Sequence, residues 1–525
     1  MQPQLFRQVL TIAVTDLKLR LRRPSTLWVI LVLSGLAYLL IPDPAGGHAL
    51  MVVDGARARY TSQVVALATA GLATLLLTFA GFYLTSNALR RDLLARTGSI
   101  IAATPVSSAA YLGGKFLGGA ASLGLVAGVY VLNVMAMHLL RGEGPLEPVT
   151  YFVTYLLALG PAIIVVSALA IAFECIPVLS GRVGDVLYFF IWMVLLAAGA
   201  MGAQGGGAGS FLDVMGLGFI LGQVHTATGS ENLAIGMTPF NPAAAPWVLP
   251  PISLTIAMLL PRVVTALLAV PILLVGLVFF HRFDPARVRG ASQASGGHLI
   301  RRISLLLKPL TRIVSGVGAR LVAVAPGSLR AVMAETVMTL CQSPLLLLAW
   351  LGVLVATIVT PDAAVHHQLP LIIAAILAIG LADLSTRDRA AGTLPLLYSM
   401  PRVKPDYAWI KLGASALLAL LFCLPPSIRI MFGAPGAALS LLIAAGFMAA
   451  LATALGFLTR TPKAFMGVFL LFVYLVLNGA QVPALDFAGW NGVATGSTRV
   501  GYLVATAVLA ALAASKHRWD LARES

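Results

Sequence analysis

Twelve runs of this chain are long and apolar enough to cross a lipid bilayer, and no other feature limits its fold as strongly. They fall at about 25–41, 64–89, 115–139, 151–176, 186–203 and 262–281, then at about 344–360, 369–385, 409–426, 437–458, 464–480 and 499–515. A helix needs about 20 apolar residues to span the hydrocarbon core, where the backbone must satisfy its own hydrogen bonds. The expected fold is an all-α polytopic membrane protein of about 12 transmembrane helices, set out as two tandem six-helix halves. Composition agrees: 59% of residues are hydrophobic and 10% charged, against about 25% charged in an average soluble domain.

A formal net charge of +16 would suit nucleic acid, but the positions of the charges give a different cause. With the N-terminus inside, the outer loops and span ends carry Arg57, Arg59, Arg141, Arg262, Arg429 and Arg499, six of the 35 Lys and Arg. They also carry Asp43, Asp54, Glu143, Glu147, Asp213, Glu231, Asp362 and Asp486, eight of the 19 acids. Six against eight leaves −2 outside, and the remaining 29 against 11 leaves +18 inside. That is the positive-inside asymmetry of a membrane protein. It predicts a multi-pass protein of the cell inner (plasma) membrane, both termini cytoplasmic, with membrane lipid rather than nucleic acid as its partner.

The polar segments divide the chain further. Residues 1–281 form a first six-span half, opened by the basic amphipathic segment "LFRQVLTIAVTDLKLRLRRP" ahead of Pro24. Residues 282–328 read as a cytoplasmic linker, whose part from Leu299 to Val324 sets five basic residues among Ile, Leu and Val as an interfacial helix would. Residues 329–525 form a second half, opened by "LRAVMAETVMTLCQSP" before Pro344. Asp16 and Glu335 precede the two prolines within one residue of the same register. The outer segment 204–261 is the longest, and its apolar "FLDVMGLGFILG" suits a short re-entrant or surface helix, with Trp247 as a headgroup anchor.

After the second run of each half comes the same skeleton. "RDLLARTGSIIAATPVSSAAYLGGK", Arg91 to Lys115, aligns without a gap on "RDRAAGTLPLLYSMPRVKPDYAWIK", Arg387 to Lys411, at an offset of 296. Arg, Asp, Ala, Thr, Pro, Tyr and Lys recur. Equal placement in the span order makes this an internal duplication of two halves of like topology.

No G-x-x-x-x-G-K-[ST], H-E-x-x-H, G-x-S-x-G or paired cysteine cluster occurs, and "GGK" at Gly113–Lys115 runs into Phe116. Cys175, Cys341 and Cys423 are scattered in or beside apolar runs. Adjacent His366 and His367 read as a solvated turn. Glu174 and Asp383 lie towards the inner ends of their spans, where a polar functional role competes with helix capping or pairing to arginine. The chain reads as no enzyme. Without an ATPase motif or proton-relay carboxylates, it draws energy from a partner or is not a pump.

At the repeated skeleton the sequence resembles the permease subunits of ABC transporters, in the exporter class often called type-2 permeases. In that family the loop after the second span has an acidic, Arg-rich start, then Gly-Thr, a Pro eight residues after the Thr, and a Lys opening the third span. The second copy supplies Asp388, Gly392, Thr393, Pro401 and Lys411; the first supplies Asp92, Thr97, Pro105 and Lys115, with Arg96 where Gly is usual.

The resemblance implies a type V exporter fold and a coupling helix that docks on a separate ATP-hydrolysing subunit. That subunit would carry the ATP and Mg, with no cofactor on this chain. Docking would fall to Arg91, Asp92, Arg96, Thr97, Pro105, Tyr111 and Lys115, and to Arg387, Asp388, Thr393, Pro401, Tyr407 and Lys411. In that picture Arg and Asp pair with the partner, Thr caps a helix start, Pro turns the chain, Tyr anchors at the interface and Lys snorkels as the next span enters lipid. With both halves fused, one chain plus two ATPase subunits would complete the pathway; a dimer of this chain stays open. Two other readings compete: a secondary transporter of the major-facilitator kind, and a membrane enzyme acting on lipid carriers, for which Asp213, His225 and Glu231 would be the only obvious material.

Overall fold

A computed structural model describes the chain apart from residues 1, 23, 44–45, 96, 178, 206–212, 231, 252–254, 282–306, 401, 480 and 525. Arg96 and Pro401 of the repeated skeleton, Glu231 and the opening of the linker lie outside the described residues. Chain contacts divide the molecule into two units, Met1–Ser295 and Gly296–Ser525.

The first unit starts with α1 (Gln2–Leu21) and α2 (Pro24–Leu40). A hairpin follows, β1 (His48–Val53) and β2 (Ala56–Arg57). Then come α3 (Ser62–Thr85), the short α4 (Ala88–Leu94) and α5 (Thr97–Ala103), and the long α6 (Ser108–Arg141), α7 (Pro148–Cys175) and α8 (Arg182–Gly205). α9 (Leu217–Thr228), β3 (Leu233–Pro239), α10 (Ile256–Leu267) and α11 (Ala269–Phe279) complete it.

The second unit holds α12 (Lys308–Val324), α13 (Gly327–Gln342), α14 (Pro344–Val359), α15 (Asp362–His367) and α16 (Leu369–Leu381). The short α17 (Arg387–Ala390) and α18 (Leu394–Tyr398) lead into α19 (Val403–Met431), α20 (Pro435–Thr459), α21 (Pro462–Asn478) and α22 (Gly496–Glu524). Nine helices among the described residues are long and apolar enough to cross a membrane, or ten if the pair 327–342 and 344–359, bent by 96°, counts as one span. These are the helices of a multi-pass membrane protein. Each of the twelve apolar runs falls largely on helix, but the 30–40 part of α2 and the 462–478 helix fall short of the 18 residues that mark a full span.

The fold departs from all-α in one place. β1 pairs antiparallel with β2 and with β3, giving a three-stranded sheet in the order β2-β1-β3. Segment 204–261 therefore supplies a strand as well as the expected helix α9. Asp54 and Gly55, both with positive φ, make the tight turn that a two-residue hairpin requires. Leu50, Met51 and Val53 of β1, which is buried on both faces, join the main core of the first unit with Val64, Tyr130 and Tyr151. Trp247 is no free headgroup anchor: its indole packs on that core and donates to the Ala56 carbonyl at 3.2 Å. At the corresponding end of the second unit the described residues form no sheet, and His366 and His367 at the end of α15 are hydrogen-bonded to the carbonyls of Gly489 and Trp490.

Two surface helices complete the frame. α1 crosses the start of α6 closely, because a Cβ on Gly114 would lie 2.6 Å from Ile12 and one on Gly118 would lie 2.9 Å from the Asp16 Cβ. α13 crosses α19 in the same way over Gly413, against Val332. α12 packs on α13, with Gly318 beneath Val337, and exposes Ile313, Val317, Leu321 and Val324. That is the apolar stripe of an interfacial helix.

Candidate functional site

Each repeated loop sits on a buried network of charges, built from the same residue types in both units. In the first unit Asp92 Oδ2 accepts a hydrogen bond from the Tyr111 hydroxyl at 2.5 Å and pairs with Lys115 Nζ at 2.7 Å. Lys115 also reaches Asp16 Oδ1 on α1 at 3.3 Å. Asp16 is held in addition by Arg91 and by Arg20, the latter at 2.5 Å. In the second unit Asp388 Oδ2 accepts from Tyr407 at 2.9 Å and pairs with Lys411 at 2.6 Å. Lys411 and Arg387 both reach Glu335 Oε1 on α13 at 2.5 Å.

Geometry explains why the skeleton repeats. Tyr and Lys lie four residues apart near the start of α6 or α19, hence on one face of the helix. The Asp lies on the short helix packed against that face. The Arg beside it points to the surface helix instead. One carboxylate on that helix, Asp16 or Glu335, closes the circuit. Lys115 is 5% exposed and Lys411 1%, so neither charge would be tolerated without its carboxylates. Burial pushes the Asp16 carboxyl up, but Arg20, Lys115 and Arg91 together outweigh it and hold it below the ordinary carboxylate range.

Most of these side chains face inward. Asp92 and Tyr111, and likewise Asp388 and Tyr407, are buried and hydrogen-bonded to each other, not offered outward. Lys115 and Lys411 turn into the protein instead of snorkelling. Arg91 and Arg387 pair with the surface helices. Thr97 and Thr393 cap no helix start: each hydroxyl donates back to the carbonyl of Asp92 or Asp388, at 3.0 and 3.2 Å, closing the turn between the two short helices. Pro105 is exposed just after α5.

The residues that are offered outward escaped the sequence reading. Ile100 on α5 and Leu396 on α18 stand at the same offset of 296 and are each 66% exposed. The available signal was an apolar residue at matching positions of the two copies.

Glu174 takes the capping role. Its carboxylate accepts the backbone N–H of Ala88, Leu89 and Arg90 at 2.8, 2.7 and 3.3 Å, satisfying donors that a helix N-terminus leaves open. Asp383 is half-buried, and its carbonyl accepts from Thr386 and Arg387 in the turn that leads to α17.

At the opposite end of the first unit Arg262 and Asp213 form a further buried pair, 3.5 Å apart. Pro161 inside α7 leaves the Leu157 carbonyl without its helical donor. Arg262 supplies one from Nε at 2.7 Å and also reaches the Ala158 carbonyl at 2.8 Å. Burial raises the Asp213 carboxyl above its ordinary range although Arg262 opposes this. Among the described residues no three His, Cys, Asp or Glu side chains converge as metal ligands would.

No family model, curated protein or solved structure matches this chain.

Proposed function

We propose that this chain is the permease subunit of an ATP-driven ABC transporter, exporting a hydrophobic or amphipathic substrate across the inner (plasma) membrane. ATP hydrolysis falls to separate nucleotide-binding subunits, two for the two loops. The observation that carries the reading is the pairing of like with like: an exposed apolar knob, Ile100 or Leu396, in front of the same buried Asp–Tyr–Lys network, once in each unit.

The arrangement suits force transfer. An apolar knob of this size fits a pocket on a soluble partner and can contribute much of the binding energy. Behind it, the Asp ties the loop to the first turns of α6 or α19, and the Arg ties it to α1 or α13. Buried ion pairs resist separation because each half left alone is strongly disfavoured. A displacement of the knob therefore moves surface helix and span together. The Ala- and Gly-rich spans carry few charges, which favours an apolar or amphipathic cargo.

The test is co-purification of the chain with its ATPase and assay of vanadate-sensitive ATP hydrolysis. Ile100→Asp and Leu396→Asp are expected to weaken association by about tenfold or more each while the chain folds normally. If no ATPase associates with the wild-type chain under any condition, the reading falls.

A further inference from the structure

We propose that the second unit holds a site for a phosphate group in the cleft between α17–α18, the end of α20 and the end of α22. Arg389 and Arg460 line it, together with Ser385, Tyr398, Phe457 and His517. Four observations point to an anion.

The Ser385 hydroxyl is buried and has no hydrogen-bond partner. It can sit there because residue 456 is glycine: a Cβ on Gly456 would lie 1.9 Å from the Ser385 Oγ. A buried hydroxyl without a partner costs free energy, and a phosphate oxygen would accept from it. Arg389 is exposed. Arg460 is half-exposed and held by Asp520 at 3.3 Å, while Asp520 is itself paired with Lys516 at 2.5 Å. That leaves two guanidinium groups and one already neutralised carboxylate on the wall, a positive balance. Planar guanidinium forks match phosphate oxygens two at a time.

The other wall is aromatic. His517 lies 5.7 Å from Tyr407 and 5.7 Å from Phe457, and Tyr398 lies 5.5 Å from Tyr407, centroid to centroid. A cationic edge against an apolar wall suits an amphiphilic phosphate ester. Among the described residues the first unit has no equivalent: at the same offset Leu89 replaces Ser385 and Leu93 replaces Arg389, and Glu174 brings a negative charge to the same turn. The site is therefore a property of one half only, and it does not depend on the ATPase reading.

The phosphate could come from a lipid headgroup or from solution, and one set of titrations separates the two. Dioctanoyl phosphatidic acid, dioctanoyl phosphatidylcholine and inorganic phosphate are each titrated onto the full chain in neutral detergent. Saturable binding of phosphatidic acid is expected, weakened about tenfold or more in Arg389→Ala/Arg460→Ala and unchanged in Arg518→Ala, an exposed arginine of the same helix outside the cleft. Tighter binding of phosphatidic acid than of phosphate assigns the lipid; equal binding assigns a soluble phosphate. Should the double variant fail to fold, Ser385→Ala is expected to weaken binding about threefold or more. Equal binding of phosphatidylcholine, equal loss in Arg518→Ala, or no saturable binding of phosphatidic acid or phosphate overturns the proposal.

Discussion

The two units are near copies at the end that carries the repeated loop and differ at the other. At the loop end, carboxylate, tyrosine, lysine and surface-helix acid recur atom for atom in role. At the far end the first unit has a three-stranded sheet and the Asp213–Arg262 pair, and the second has α15, whose two histidines bond to the segment before α22. A duplicated chain is free to diverge wherever its halves meet different surroundings. Constancy at the loop end is what the proposed docking of two like subunits requires.

Within that sameness one difference is quantitative. The first network sets Asp16 and Asp92 against three cations, Arg20, Arg91 and Lys115. The second sets Glu335 and Asp388 against two, Arg387 and Lys411. The extra cation in the first unit is not idle: Arg20 also donates to the carbonyls of Leu84 and Thr85, both at 3.0 Å, where α3 ends. Thr339 occupies the matching i+4 position in the second unit and accepts from Arg387 at 3.3 Å.

The largest effect should therefore come from Lys411→Met. It leaves the buried Asp388 and the half-buried Glu335 facing one arginine, at a cost of about 3–5 kcal/mol. Lys115→Met leaves two carboxylates facing two arginines and should cost clearly less. Unfolding midpoints of the two variants in one detergent decide it; equal losses would break the charge-count account of the difference.

Tyr111→Phe and Tyr407→Phe probe the shared part. Each removes a hydrogen bond to a carboxylate and should cost about 1.5–3 kcal/mol. The two costs should agree, measured the same way. A large inequality would mean that the networks are alike in outline only.

The smallest effect is pH dependence. The folded Asp16 carboxyl is held below its ordinary range by its cations, after burial has been overcome. Its contribution is full above about pH 4 and is lost as pH falls through the lower folded value. Asp16→Asn should flatten the acid limb of a plot of unfolding midpoint against pH. An unchanged slope would exclude Asp16 as the source of the first unit's acid sensitivity.

Much of this was readable from the chain itself. The apolar runs, the surface helices ahead of Pro24 and Pro344, and the offset of 296 all reappear as helices in the expected order. The direction of the motif side chains was not readable. Spacing within a loop looks the same whether Asp92 faces a partner or Tyr111, nineteen residues on. The deciding contact, Asp16 to Lys115, spans 99 residues and exists only once α1 has crossed α6 over its glycines. The sheet was missed for another reason: "HALMVVDGAR" carries a hairpin signal in Asp54-Gly55, but in a chain so rich in apolar runs a six-residue strand does not stand out.

That sheet also sets an order of events during synthesis. Asp54 and Asn232 are hydrogen-bonded at 3.2 Å across 178 residues of chain. At ribosomal rates of about 5–20 residues per second, about 10–40 s pass between them. The β1–β2 hairpin is made early and must wait, one edge open, while α3, α6, α7 and α8 are delivered. Until β3 arrives, the first unit carries an unpaired strand edge of the kind that invites wrong partners. Its far end is finished late, although its residues are among the first to be made.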